Sequence, residues 1–136
     1  MNRRQLLRLG GATFVATLSA GCSSGGDSGG AKRVSMTDGF DYDPKRLTIS
    51  AGTTVRWVND SNVGHTVTAY EDEIPADADY FASGGFDSER AARNDVTGGL
   101  FGPGETYEHT FEVPGTYEYY CIPHESSEMV GTVVVE

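Results

Sequence analysis

From Val34 to Glu136 the chain breaks into short β-favouring runs punctuated by Gly, Pro, Asn and Asp, and that rhythm leaves no room for a long helix. The clearest runs are Arg46 to Ile49, Thr53 to Asn59, His65 to Tyr70, Thr106 to Val113, Thr116 to Cys121 and Val130 to Val135. Alternation puts Val55 and Trp57 on one face of their run, and Tyr107, His109 and Phe111 on one face of theirs, as strands covered on one side require. Ala51-Gly52, Pro103-Gly104 and Pro114-Gly115 supply the turns. Short strands at this spacing predict an all-β domain built as a two-sheet sandwich or Greek-key barrel. Glu71 to Glu105 is too long for a hairpin loop; Asp87-Ser88 is placed to cap one short helix over Glu89–Arg93, covering a sandwich edge.

Ahead of the domain, residues 1–21 combine Arg3, Arg4 and Arg8 with an uncharged run from Leu9 to Gly21, the pattern of a signal peptide. A membrane-spanning helix needs about 20 apolar residues, and this run is shorter and interrupted by Gly and Thr. Arg3-Arg4 followed by Gln5-Leu6-Leu7 resembles a twin-arginine export signal. Leu18-Ser19-Ala20-Gly21-Cys22 resembles the lipobox of exported lipoproteins, where cleavage leaves the cysteine as first residue with lipid on its sulfur; ordinary cleavage nearby is the plainer alternative. Residues 22–33, rich in Gly and Ser, have the composition of a tether, so the expected order is signal 1–21, tether 22–33 and domain 34–136. The expected location is the extracellular face of the cytoplasmic membrane, held there by the lipid on Cys22.

Charge narrows the partners. The 136 residues carry 20 acids and ten bases, and three of those bases lie in the export segment. A surface so acidic is a poor match for nucleic acid, whose phosphates are bound by Lys and Arg. It suits strong salt, where self-repulsion is screened within about 3 Å at ~1 M, and so points to a salt-loving source.

There are two cysteines, and lipidation of Cys22 leaves Cys121 without a disulfide partner in an oxidising compartment. Its neighbourhood supplies a reason: Cys121, His124 and Met129 fall within nine residues and offer a thiolate, an imidazole and a thioether. These are three members of the donor set of a His₂Cys copper site with a long axial Met. The second imidazole must come from elsewhere, and His65, in Asn62-Val63-Gly64-His65-Thr66-Val67, is better placed than His109, which reads as a structural residue between Tyr107 and Phe111. Taken singly, a buried Cys, His or Met is more often core than ligand; the joint spacing carries the reading. Ser/His/Asp spacing, a phosphate-binding Gly loop and a zinc-type Cys pair are all lacking.

On these residues the sequence resembles the small blue (type 1) copper proteins, or cupredoxins, most closely the plastocyanin-like halocyanins of salt-loving archaea. Cys121, His124 and Met129 reproduce the family's Cys-x₂-His-x₄-Met loop, and Trp57-Val58-Asn59 leads to His65 as the family's Trp-x-Asn strand leads to its upstream histidine. Gly115-Thr116-Tyr117 and Met129-Val130-Gly131 also look like the family. The resemblance implies a cupredoxin-like Greek-key β-sandwich holding one copper ion on His65, Cys121, His124 and Met129. It implies an amide hydrogen bond from Thr66 to the Cys121 sulfur, and a one-electron Cu(I)/Cu(II) shuttle between redox donor and acceptor proteins, working as a monomer and not as an enzyme. It further implies an electron-transfer surface of Ile122, Pro123 and His124, with Tyr120 as a second route if alternation turns it outward from Cys121. A copper storage or delivery protein is the alternative, disfavoured by only three His and three Met. A copper enzyme would need an open coordination position, and a metal-free recognition domain would be expected to lack part of the ligand set.

Overall fold

The computed structural model of the protein describes residues 31–136. The predicted export segment, Cys22 and most of the predicted tether lie outside the described residues. The domain has eight strands: β1 Lys32–Met36, β2 Tyr42–Asp43, β3 Arg46–Ile49, β4 Thr53–Asn59, β5 Thr68–Ala69, β6 Thr106–Phe111, β7 Gly115–Tyr120 and β8 Val130–Val135. They form two four-stranded sheets, ordered β2-β1-β4-β6 and β3-β8-β7-β5. Each sheet is mixed, because β1 runs parallel to β4 and β3 parallel to β8 while the other neighbours are antiparallel. This is the expected β-sandwich.

The inner faces follow from side-chain alternation. Val55 and Trp57 of β4 and Phe111 of β6 face Tyr117 and Tyr119 of β7 and Val133 and Val135 of β8 across a closed apolar core. Trp57 is its hub, meeting Tyr119 edge-on at 5.3 Å and Phe111 at 6.3 Å between ring centroids. Aromatic pairs of this kind contribute about 0.5–1.5 kcal/mol each beyond the area they bury. Gly131 is required where it stands: a Cβ there would collide with the ring of Tyr119, its cross-strand partner.

Three elements depart from the sequence expectation. Strand β1 starts at Lys32, so two residues assigned to the tether belong to the sheet. The run predicted as a strand from His65 to Tyr70 contributes only β5 and two isolated bridges, His65 to Phe101 and Thr68 to Ala82. Its backbone donors are committed elsewhere: Thr66 N–H to the Cys121 sulfur and Val67 N–H to Ser83 Oγ. The long connection holds two short α-helices rather than one, α1 Glu89–Asn94 and α2 Val96–Gly99, after a 3-10 turn at Glu71–Glu73. As expected, Ser88 caps α1, accepting from Ala91 N–H at 3.1 Å, and Glu89 pairs with Arg93. Asp95 caps α2. The connection also fills the core, inserting Phe81 against Trp57 and Phe111.

Candidate metal centre

The site is assembled from two stretches of chain. Cys121 follows directly on β7 and Met129 directly precedes β8, so the hairpin that joins these antiparallel strands is the ligand loop itself. Cys121 N–H donates to the Met129 carbonyl at 3.0 Å and Met129 N–H to the His124 carbonyl at 3.3 Å, folding the loop tightly back on itself. Pro123 sits at the start of the 3-10 turn Ile122–Ser127, where its missing N–H is not needed, and Glu128 closes the turn in a left-handed conformation. His65 comes from the loop after β4 and is fixed by its two backbone hydrogen bonds with Phe101, at 3.2 and 3.0 Å.

Nδ1 of His65, Sγ of Cys121 and Nδ1 of His124 converge within 4.8 Å of one another. Sγ lies 3.3 Å from Nδ1 of His124 and 3.7 Å from Nδ1 of His65, and the two ring nitrogens are 3.2 Å apart. His65, Cys121 and Met129 are fully buried while His124 is partly exposed. His109 lies elsewhere, partly buried and stacked on Phe81 at 4.7 Å.

Burial, and then the neighbouring His124, lower the pKa of His65 to about 4; burial lowers His124 as well. Both rings are therefore neutral near pH 7, with lone pairs free for a metal. Burial pushes the Cys121 thiol up, partly offset by Thr66 N–H, which donates to the sulfur at 3.4 Å, so metal binding must expel the thiol proton. The Thr66 hydroxyl accepts from Ile122 N–H at 2.9 Å and ties the His65 segment to the ligand loop a second time.

Two features were not read from the sequence. Phe40, in the β1–β2 turn, stacks on His124 with centroids 4.3 Å apart and planes within 12°. Phe40 and Glu128 are the two non-glycine residues with left-handed φ among the described residues, at 59° and 63°; Phe40 stacks on the His124 ring and Glu128 N–H donates to the Glu125 and His124 carbonyls. Such conformations cost about 1–3 kcal/mol each and persist where surrounding structure holds them. No motif announces Phe40; only the tertiary fold brings it there.

Tyr120 requires a correction. It does project away from Cys121, as alternation predicts, but it is fully buried rather than at the surface where a second electron route was expected. Tyr70 stacks on it at 4.2 Å, the Arg93 guanidinium lies 4.5 Å from its ring centre, and its hydroxyl donates to Glu89 at 3.0 Å. Arg93 also bonds both carboxylate oxygens of Glu125, clasping α1 to the ligand loop. Of the predicted electron-transfer surface, Pro123 is exposed and Ile122 and His124 are partly so.

A thiolate, two imidazoles and a thioether suit copper, whose two oxidation states prefer soft sulfur and imidazole respectively; bound here, it supplies a one-electron couple. The donors are pre-placed by strand ends and backbone bonds, so little rearrangement is needed to receive it.

Comparison with known proteins agrees with this chemistry. The family model described as copper binding proteins, plastocyanin/azurin family, matches residues 30–136. Plastocyanin of Scenedesmus fuscus is 37% identical over 95 residues, covering 70% of this chain and 86% of its own. Chloroplastic plastocyanin of Chlamydomonas reinhardtii is 35% identical over 124 residues, covering 91% and 72%. Among solved structures, a purple cupredoxin from Nitrosopumilus maritimus superposes with a TM-score of 0.54 at 29% identity, over 77% of this chain and 99% of that one. The family's single copper ion finds its type 1 donors in His65, Cys121, His124 and Met129. The chain belongs to the plastocyanin/azurin family of copper-binding proteins.

Proposed function

We propose that this blue copper electron-transfer protein is a halocyanin-like carrier, exported and held by lipid on Cys22 at the outer face of the cytoplasmic membrane of a salt-loving cell, shuttling single electrons between redox proteins of a membrane chain. The observation that carries the electron-transfer reading is the convergence of Sγ and both Nδ1 atoms within 4.8 Å, with His65, Cys121 and Met129 buried and His124 alone of the four ligand residues reaching the surface. A closed donor set of this kind leaves no position for a substrate, so the carrier role is favoured over an enzyme. The tether reading is supported by the lipobox-like Leu18–Cys22 and the Gly/Ser run behind it, and the acidic composition supports high salt.

Electrons enter and leave through the exposed edge of His124. Phe40 stacks on the face of that ring, Pro123 precedes it in the loop and is exposed, and Val63 and Leu100, 42% and 41% exposed, lie by the loop that carries His65. Such an apolar end suits a redox partner with a matching apolar face. Tyr120 is sealed by Arg93 and Tyr70 and does not serve as a port.

Two measurements test the reading. Copper-loaded protein should show an intense visible band that one equivalent of reductant bleaches and an oxidant restores; tight, colourless copper binding would instead indicate storage or delivery. Full-length protein expressed in an exporting, lipidating host should sediment with membranes, and Cys22→Ser should release it. A Cys22→Ser protein that stays membrane-bound refutes the anchor and leaves the copper reading untouched.

A further inference from the structure

Copper on Nδ1 of His65 requires the ring proton on Nε2, and a buried N–H needs an acceptor. Nε2 lies 2.8 Å from Ser61 Oγ, itself buried four residues upstream. The Ser61 hydroxyl lies 2.6 Å from Oδ1 of Asn59, which also accepts from Ser61 N–H at 2.9 Å. The Asn59 amide is in turn fixed by its NH₂ end, which donates to the carbonyls of Val63 at 2.8 Å and Phe101 at 2.9 Å. Two carbonyls can be met only by the NH₂ group, so Oδ1 must face Ser61 as an acceptor. The Ser61 hydroxyl also has the Val63 carbonyl within reach at 3.0 Å and accepts from Val63 N–H at 3.3 Å, so its proton goes to one of two oxygen acceptors, Asn59 Oδ1 being the nearer, and Ser61 Oγ offers His65 a lone pair.

We infer that Asn59 and Ser61 are positioning residues for the copper site: a one-way hydrogen-bond chain from the β4 end to Nε2 of His65 that holds this ligand in its Nε2–H tautomer, lone pair toward the metal, before copper arrives. In the copper-free protein Nδ1 of His65 then accepts, with Nδ1 of His124 at 3.2 Å and the Cys121 thiol at 3.7 Å as its neighbours. The chain also explains why an asparagine ends β4. Its two NH₂ bonds pin the Val63 carbonyl and the Phe101 carbonyl, the latter being the group that receives His65 N–H. Side-chain tautomer and backbone position of one ligand are thus set by the same residue. Nothing comparable is needed for His124, which the ligand loop and Phe40 hold from outside.

The inference rests on His65 as a copper ligand, and the experiment separates the two. Nitrogen-15 NMR of the copper-free protein near pH 7 reports which ring nitrogen of His65 carries the proton. A single Nε2–H tautomer is expected in the wild type, a mixture or the Nδ1–H form in Ser61→Ala, and return to Nε2–H in Ser61→Thr, which restores the hydroxyl. Copper(II) affinity of Ser61→Ala should fall about 10–100-fold, the range for losing such a partner, and the remote-nitrogen coupling of His65 in pulsed EPR should shift. A wild-type protein already in the Nδ1–H form overturns the inference without any variant. Wild-type affinity and unchanged coupling in Ser61→Ala overturn it as well. Failure of the ligand assignment shows differently, as wild-type copper protein with no His65 coupling at all, and takes the inference with it.

Discussion

Thr66 binds the two halves of the copper site together, and Thr66→Val is the cleanest way to test how much that matters. The substitution keeps shape and leaves the main-chain N–H to the Cys121 sulfur in place, but deletes the hydroxyl that accepts from Ile122 N–H at 2.9 Å and lies 3.1 Å from the Thr68 hydroxyl. A buried donor deprived of its acceptor costs about 1–3 kcal/mol. Ile122 is half-buried and regains some water, so the lower end applies, about 1–1.5 kcal/mol. For a domain of this size each kcal/mol moves Tm by about 4–8 °C, so the copper-free variant should melt about 4–12 °C lower. Amide hydrogen exchange supplies the local readout: protection at Ile122 should collapse in Thr66→Val and survive in Thr66→Ser, which keeps the acceptor although its lost methyl costs about 0.8 kcal/mol. The visible band of the copper form should persist in both, because the sulfur keeps its amide donor. An Ile122 amide that stays fully protected in Thr66→Val, with Tm within about 2 °C of wild type, would refute the claim that this hydroxyl fastens the ligand loop.

Other outcomes follow from the same geometry. Cys121→Ser should abolish the intense visible band, whereas Met129→Leu should keep it at an altered potential, since the axial contact is weak; absorption and voltammetry decide. His109→Gln should retain the copper spectrum and lose about 0.5–1.5 kcal/mol of stability in urea, because the partly buried ring gives up its contacts with Phe81 and Phe111. The hydrogen bond from Arg93 holds Glu125 below the usual carboxylate range, so their pair contributes stability above the unfolded value near 4.5 that is lost as pH falls through the lower folded value. Both side chains are more than a third exposed, limiting the effect to about 1 kcal/mol, and Arg93→Met should flatten that part of the acid melting curve. With 20 acids against ten bases, Tm should rise along a KCl series; a flat or falling curve rejects the salt-adapted reading.

Strands whose apolar residues alternate over several positions were legible: β4, β6 and β8 lie where the pattern puts them because each presents one face to the core. Strand β1 was not, since only Val34 and Met36 mark it and its partner β4 is nonlocal and parallel. The shortening of the His65–Tyr70 strand was equally hidden, because alternation cannot reveal that Thr66 and Val67 spend their N–H groups on a thiol and a serine. Alternation turned Tyr120 the right way yet said nothing of Arg93 and Tyr70, which the long connection brings over it. In the site, three candidate donors share one loop and could be read directly. Ser61, four residues before His65, was a weak signal, and Phe40 left none.

The two histidines are held by opposite means, and the difference is what electron transfer asks of such a site. His65 is fully buried and locked through backbone, Ser61 and Asn59, all within the fold's interior. Any displacement of its ring would break bonds to groups that have no water to turn to. In the proposed role of electron port, His124 keeps one edge at the surface, and a partly exposed ring is not fixed by a buried network. Phe40 stacking on one face, with the tight Cys121–Met129 loop behind, restrains it without covering that edge. The left-handed φ of Phe40 and of Glu128 is the conformational cost of that arrangement, about 1–3 kcal/mol apiece, offset by the sandwich beneath. A centre with one ligand sealed and the other restrained but accessible changes oxidation state with little movement and still presents a short path to its partners.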